Sequence, residues 1–244
     1  MEKNYFILIL LLFFLSASSH SSLIASYSFD GNANDSVHGL NGTVVGATLT
    51  QDRFGVASKA YYFDGNDYIS LGNPSLLNFT TDFSITAWIK PMTNSETWPS
   101  VISKWTGNTH LETFWLGYYQ NAANYYLGAE VTNAGYNNYR NTTNTTITLG
   151  QWQQIGVSYS ASSHWMGLYL NGTLVEQWLD LLGTNIWNSS DPVVIGGVMK
   201  TSLNHAFVGS IDEIQIYDHS FAIPEMSSLL FLLIGLIALW RIAR

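Results

Sequence analysis

Phe83-Ser84-Ile85-Thr86-Ala87-Trp88-Ile89-Lys90 places apolar side chains at every second position. Successive side chains of a strand point to opposite faces, so Phe83, Ile85, Ala87 and Ile89 address one side and Ser84, Thr86, Trp88 and Lys90 the other. The same period recurs where Ile155, Val157 and Tyr159 alternate with Gly156 and Ser158, and where Met166, Leu168 and Leu170 precede Asn171-Gly172. Between Ser19 and Ile223 no stretch keeps a 3.6-residue apolar period over three turns. Further strands are expected at Ile24–Phe29, Thr43–Leu49, Ala60–Phe63, Tyr68–Leu71, Val101–Trp105, Phe114–Tyr119, Tyr125–Val131, Thr146–Leu149, Val193–Ile195 and Phe207–Tyr217. Asp30-Gly31, Asn41-Gly42, Asp64-Gly65 and Asn171-Gly172 stand at strand ends, where tight turns need residues that tolerate positive φ. A dozen or so short strands of this kind predict an all-β fold, a two-sheet antiparallel sandwich or jelly roll. The Asn/Thr-rich stretch Asn137–Thr148 is expected to be one exposed loop.

Composition narrows the chemistry. The 244 residues contain no cysteine, which excludes disulfide staples, thiol catalysis and cysteine-ligated zinc or iron–sulfur centres. Charged residues make up 11% of the chain, against a usual share of about 25%, and the formal net charge is -8. A weakly charged, net acidic surface suits neutral partners and argues against nucleic acid.

The two ends differ from the middle. Lys3, the apolar run Tyr5–Leu15 and the small residues Ser16 to Ser19 have the layout of a secretory signal peptide, so residues 1–18 are expected to be a signal helix and residues 19–223 the exported domain. After Pro224, the run Met226–Ala243 is apolar enough for a short membrane helix, and Arg241 and Arg244 would stay cytoplasmic. The expected arrangement is therefore a sandwich flanked by a signal helix and a C-terminal transmembrane helix (224–244), with the domain at the cell surface or outside it. Ile223-Pro224-Glu225-Met226, the apolar run and the terminal arginines resemble the tripartite PEP-CTERM sorting tail, although the second proline of that element is missing. That resemblance implies processing by an exosortase-like enzyme, after signal peptidase has acted at the N-terminus.

The middle carries a second resemblance. SYSFDGNANDSVHGLNGT, AYYFDGNDYISLGN, DFSITAWIKP, VISKW, GQWQQIGVSYS, GLYLNGTLV and GSIDEIQIYD, in this order, resemble the laminin-G-like branch of the concanavalin A-like lectin/glucanase fold, from about Ile24 to Ser220. The resemblance implies a jelly roll of 12 to 14 strands and a family of carbohydrate and protein binders.

Asp212 shares the parity of Val208, Ile214 and Ile216, which puts a carboxylate on an apolar strand face unless something positive meets it. Calcium is one such partner, and the turn Asp30-Gly31-Asn32 supplies hard oxygens. In the resembled family that turn lies against the last strand, so Asp30, Asn32 and Asp212 are candidate ligands of a structural Ca2+. The alternative is an Asx-turn at Asp30 and a rim carboxylate at Asp212. Glycosidases of this fold use paired carboxylates on one strand; the acidic pairs here, Asp64/Asp67 and Asp212/Glu213, do not fit that spacing, and no catalytic residue is assigned. Aromatic residues exceed what the core needs, so some are expected to line a groove. Tyr136, Tyr139, Arg140 and Trp115 are the candidate ligand-binding residues. The reading is a non-enzymatic exported module that binds polysaccharide or a surface or matrix protein; the alternatives are a structural or adhesive protein without a small ligand, and a glycoside hydrolase.

Overall fold

The computed structural model describes residues 22–93, 95–105, 112–134, 138–179, 181, 185–199 and 203–221. The larger sheet has eight antiparallel strands. Its path runs β13 (Thr173–Trp178), β12 (Trp165–Leu170), β11 (Gln153–Ser160), β6 (Asp82–Pro91), β17 (Val208–Tyr217), β4 (Ala60–Asp64) and β3 (Thr48–Thr50), and β1 (Leu23–Tyr27) also pairs with β17. The seven-stranded sheet runs β10 (Asn138–Thr146), β9 (Asn124–Thr132), β8 (Glu112–Asn121), β7 (Ser100–Trp105), β14 (Val193–Ile195), β5 (Tyr68–Gly72) and β2 (Thr43–Val45). A two-stranded ribbon, β15 (Val198–Met199) with β16 (Leu203–Asn204), completes the strands.

The period-two pattern decides which side chains meet. Phe83, Ile85, Ala87 and Ile89 of β6 enter one apolar cluster with Ile155, Val157 and Tyr159 of β11 and with Phe114, Leu116 and Tyr118 of β8. Phe83 stacks on Phe79 with centroids 5.0 Å apart and lies 5.5 Å from Phe114, which ties the two inner faces together.

Several expectations need correction. The run Thr43–Leu49 is two strands, β2 and β3, which enter different sheets because Gly46 turns the chain between them at φ 84°. The Asn/Thr-rich stretch is not a loop: β10 is an edge strand in register with β9, from Asn138 opposite Thr132 to Thr142 opposite Gly128. Its β-branched threonines favour extended backbone, and an edge position asks for no apolar face. The helices also fail to appear. Among the described residues the one helical element is the 3-10 turn Ser75–Leu77, and no helix is long and apolar enough to cross a membrane. The expectation of a sandwich flanked by a signal helix and a transmembrane helix is thereby corrected to an all-β antiparallel sandwich. Surface anchoring through a C-terminal helix, and the membrane and exosortase-like partners that went with it, have no helix to rest on among the described residues. Residues 1–18 and 224–244, to which those readings attached, lie outside the described residues.

Two features of β17 shape both broad faces. Its first half pairs with β4, through Val208 to Ile211, and its second half pairs with β1, through Ile214 to Tyr217. At the changeover the register against β6 slips, from Asp212 opposite Trp88 to Gln215 opposite Thr86, and Glu213 takes φ 45°. This is a β-bulge, and one extra residue reverses the face that every later side chain addresses. The chain then turns back over the outer face of the larger sheet. Phe221 donates its backbone N–H to Ser84 Oγ and Ser158 Oγ, at 3.0 and 2.9 Å, and Ser84 Oγ donates to the His219 carbonyl. Ser84 and Ser158 are buried beneath this strap.

Candidate functional site

The outer face of the seven-stranded sheet is built on a pair of glycines. Gly117 of β8 and Gly128 of β9 are directly opposite each other. On the same face, Trp115 stands opposite Glu130, and Ser103 opposite Trp115. Trp115 folds along its own strand over Gly117: a Cβ at that position would meet the indole at 2.7 Å and the Pro99 carbonyl at 2.1 Å. The segment before β7 lies across the same place, because Tyr118 and Gln120 donate their backbone N–H groups to the Pro99 and Thr97 carbonyls. Trp98 therefore arrives on top. It stacks on Tyr119 at 4.3 Å and 28°, and meets Trp115 edge-on at 6.0 Å.

The two kinds of ring do different work. Trp98 and Tyr119 are half-buried and present ring surface, whereas Trp115 is 2% exposed and fills the floor. Trp115 Nε1, Ser100 Oγ and Thr132 Oγ1 make no hydrogen bond within the protein, and buried groups of this kind are normally satisfied.

The other predicted ligand-binding residues fall around this face unevenly. Arg140 pairs in register with Glu130, the residue opposite Trp115, so the backbone brings Arg140 and Trp115 into one row. Tyr139 pairs with Val131, one position along, and Tyr136 lies outside the described residues. Sequence reasoning passed over Trp98 and Tyr119 as a pair, because they are 21 positions apart and meet only through the crossing segment. The legible signal was Trp115-Leu116-Gly117, repeated as Trp165-Met166-Gly167: a tryptophan two residues before a glycine, on one strand face. The indole of Trp165 also lies over its glycine and is 1% exposed.

Asp30, Asn32 and Asp212 each meet other partners in the structure. Because of the bulge, Asp212 is on the outer face opposite Trp88, while Ile211, Ile214 and Ile216 enter the core. The expectation that it shares a face with Ile214 and Ile216 is overturned by that one extra residue. It does meet positive charge, from Arg53: the guanidinium lies 3.4 Å from Asp212 Oδ2 and 3.0 Å from Glu213 Oε1, clasped between the Phe54 and Trp88 rings at 4.4 and 4.7 Å. Asp212 Oδ1 accepts the Glu213 N–H. Asp30 pairs with Lys59 at 3.0 Å, and Asn32 Oδ1 accepts the Asn34 N–H. As placed, these oxygens face cations and N–H donors. Among the described residues no group of three or more His, Cys, Asp or Glu side chains is arranged to hold a metal.

Burial, reinforced by the Glu213 and Asp52 charges, pushes the Asp212 carboxyl up to about 7, against the pull of the Glu213 N–H and Arg53. A carboxyl whose folded pKa is raised contributes stability that is complete below the unfolded value near 4 and is lost as pH rises through 7. Asp212→Asn, which mimics the neutral acid, is therefore expected to gain on the wild type by more than about 1 kcal/mol between pH 4 and pH 8. Urea denaturation of both proteins across that range measures the gap; a constant gap would refute the assignment.

Residues 63–225 match the family model of the concanavalin A-like lectin/glucanases superfamily of laminin-G type. The chain belongs to that superfamily. Among solved structures, domain 4 of AbnA, a GH43 extracellular arabinanase from Geobacillus stearothermophilus, in complex with arabinotriose, is 22% identical over 83% of this chain and 95% of that one, with a TM-score of 0.59. The binding domain of Paraclostridial Mosquitocidal Protein 1 is 16% identical over 82% of this chain and 49% of that one, with a TM-score of 0.60. The Ruminococcus gnavus IT-sialidase CBM40 bound to alpha2,3 sialyllactose is 18% identical over 77% of this chain and 95% of that one, with a TM-score of 0.50. These likenesses establish the superfamily fold. No curated protein matches the chain.

Within this lectin-like superfamily, an enzyme would need two carboxylates in one cleft. Asp64 and Glu96 do line a common cavity of ≈ 360 Å³. Asp64 is committed to its own turn, where its Oδ1 accepts the Asn66 N–H and its backbone N–H is donated to Asp67 Oδ2.

Proposed function

We propose that the sandwich, taken as residues 19–223, is a non-catalytic carbohydrate-binding module that holds a neutral oligosaccharide on the outer face of its seven-stranded sheet. The stack of Trp98 on Tyr119 carries the reading, because a half-exposed pair of rings suits the C–H faces of a sugar. Support also comes from the low charge, which suits neutral ligands, and from the superfamily, in which one solved structure of similar fold is described with arabinotriose. A protein partner on the same face is the other reading, favoured by the adhesive role that such sandwiches can play without a small ligand.

Affinity electrophoresis and calorimetry with arabinotriose and a panel of neutral polysaccharides test it. Trp98→Ala is expected to weaken binding at least about tenfold, a loss of ~1.4 kcal/mol, with the melting temperature nearly unchanged. Retardation by no polysaccharide, or binding indifferent to Trp98→Ala, would overturn the reading. The same preparation settles calcium: a rise in melting temperature on adding calcium to chelated protein, abolished by Asp212→Ala, would restore the metal, and no response would remove it.

A further inference from the structure

The outer face of the seven-stranded sheet continues beyond the stack of Trp98 on Tyr119. Tyr119 of β8 stands directly opposite Tyr126 of β9, and Tyr126 directly opposite Thr146 of β10. Residues opposite each other in antiparallel strands share a face. Here it is the outer one, because their neighbours in the chain, Tyr118, Leu127 and Ile147, enter the core. One rung therefore crosses three strands, from the ring pair at β8 through a second tyrosine to a hydroxyl on the edge strand. Tyr119 and Tyr126 are half-buried, and Thr146 is exposed.

The next outer-facing rung, toward the turn that joins β8 to β9, is Asn121 opposite Asn124, both exposed. Neither rung carries a charged side chain. The face thus sets a line of rings, which offer apolar surface, beside a line of amides, which both donate and accept hydrogen bonds. Neighbouring strands lie about 4.8 Å apart, close to the length of one sugar unit in a linear chain. A saccharide laid across the strands, at right angles to them, meets successive strands with successive units.

Resting on the reading of this face as a saccharide site, we propose that its ligand is a run of consecutive units of a linear neutral polysaccharide, one unit for each of β8, β9 and β10. The first unit rests on Trp98 and Tyr119, the second on Tyr126, and the third reaches the Thr146 hydroxyl. Asn121 and Asn124 receive sugar hydroxyls along one side of the chain. Tyr126 is then the residue through which the module distinguishes a chain from a single sugar or a disaccharide. The ligand is neutral because neither rung would compensate a charge.

Calorimetry on the full chain tests the proposal, with linear arabino-oligosaccharides and with oligosaccharides cut from whichever neutral polysaccharide of the panel binds, each from the disaccharide to the hexasaccharide. Wild type, Tyr126→Thr and Trp98→Ala are compared. Threonine is a good strand former at a half-exposed position, so Tyr126→Thr should melt within about 4 °C of the wild type. Wild-type affinity should rise at least about tenfold from the disaccharide to the trisaccharide in one series. Tyr126→Thr should abolish that rise and leave the disaccharide within about twofold, whereas Trp98→Ala should weaken every member. Affinity that depends on Trp98 but is indifferent to chain length or to Tyr126→Thr would overturn the extended path and leave the first reading standing. Tyr126→Thr that weakens the disaccharide as much as the longer chains would place Tyr126 in the first subsite and overturn the extended path as well. Silence of the whole panel and of the arabino-oligosaccharides would overturn both readings.

Discussion

Asp35→Ala is expected to destabilise the protein by about 3–5 kcal/mol, the largest loss foreseen for a single surface-loop residue. The side chain is 6% exposed, and its two oxygens accept four backbone N–H groups. Oδ1 takes Ser26 of β1 at 2.8 Å and Val37 at 3.0 Å, and Oδ2 takes His38 at 2.9 Å and Leu40 at 3.0 Å. Removing the carboxylate strands all four donors in a place that water enters poorly. The loop they organise also carries the Leu40 carbonyl that receives the Tyr27 hydroxyl, and the His38 ring that reaches the Ile24 carbonyl, so the fixing of β1 loosens with it.

The same residue has a pH signature. Burial raises its carboxyl, but the N–H groups of Ser26, Leu40, Val37 and His38 together outweigh burial and hold it below the ordinary aspartate value. A depressed folded pKa gives stability that is present above the unfolded value near 3.9 and is lost as pH falls through the folded one. The gap between wild type and Asp35→Ala should therefore narrow on acidification below about pH 4, which denaturant titrations at pH 7, 4 and 2.5 would measure. A gap that stays the same through that range would mean the carboxylate charge is irrelevant to the loop.

Gly117→Ala is the second large effect, and it joins stability to binding. The added carbon would stand 2.1 Å from the Pro99 carbonyl and 2.7 Å from the Trp115 indole, so one of them must leave. Moving Pro99 breaks the hydrogen bond from the Tyr118 N–H; moving Trp115 opens the floor beneath Trp98. Overpacking of this kind costs about 1–3 kcal/mol, and the lost hydrogen bond adds about 1 kcal/mol. Since Trp98 rests on both, glycan binding should fall along with the melting temperature. An alanine variant with unchanged stability and unchanged glycan binding would refute the account of how this face is built.

The strand pattern explains why so much of the fold was legible and why particular residues were not. β6, β11 and β12 were readable because each repeats apolar residues at every second position, and the Asn171-Gly172 turn follows β12 where expected. Nothing local announces the bulge at Glu213. A left-handed glutamate inside Ser210-Ile211-Asp212-Glu213-Ile214 is imposed by the handover from β4 to β1, which is a contact between distant segments. One unforeseen residue was enough to put Asp212 on the other face, where Arg53 meets it. The aromatic surplus was misread for a similar reason. Trp115 and Trp165 look like exposed rings in the sequence, but a glycine two positions on lets each lie flat along its strand. The pair that presents ring surface, Trp98 with Tyr119, is created by a crossing segment whose path follows from packing.

The antiparallel match of β1 to β17 has a mechanical consequence. Leu23 pairs with Tyr217 and Tyr27 with Ile214, while the Ser22 N–H is donated to the Asp218 carboxylate and the Asp218 N–H to the Ser22 carbonyl. Tension applied between Ser22 and Asp218 would thus open this ladder one rung at a time, as a zipper, instead of shearing all its rungs together. The first yielding event under a pulling force should be the peeling of β1 at low load, checked at Ser26 where Asp35 grips the strand from outside the sheet.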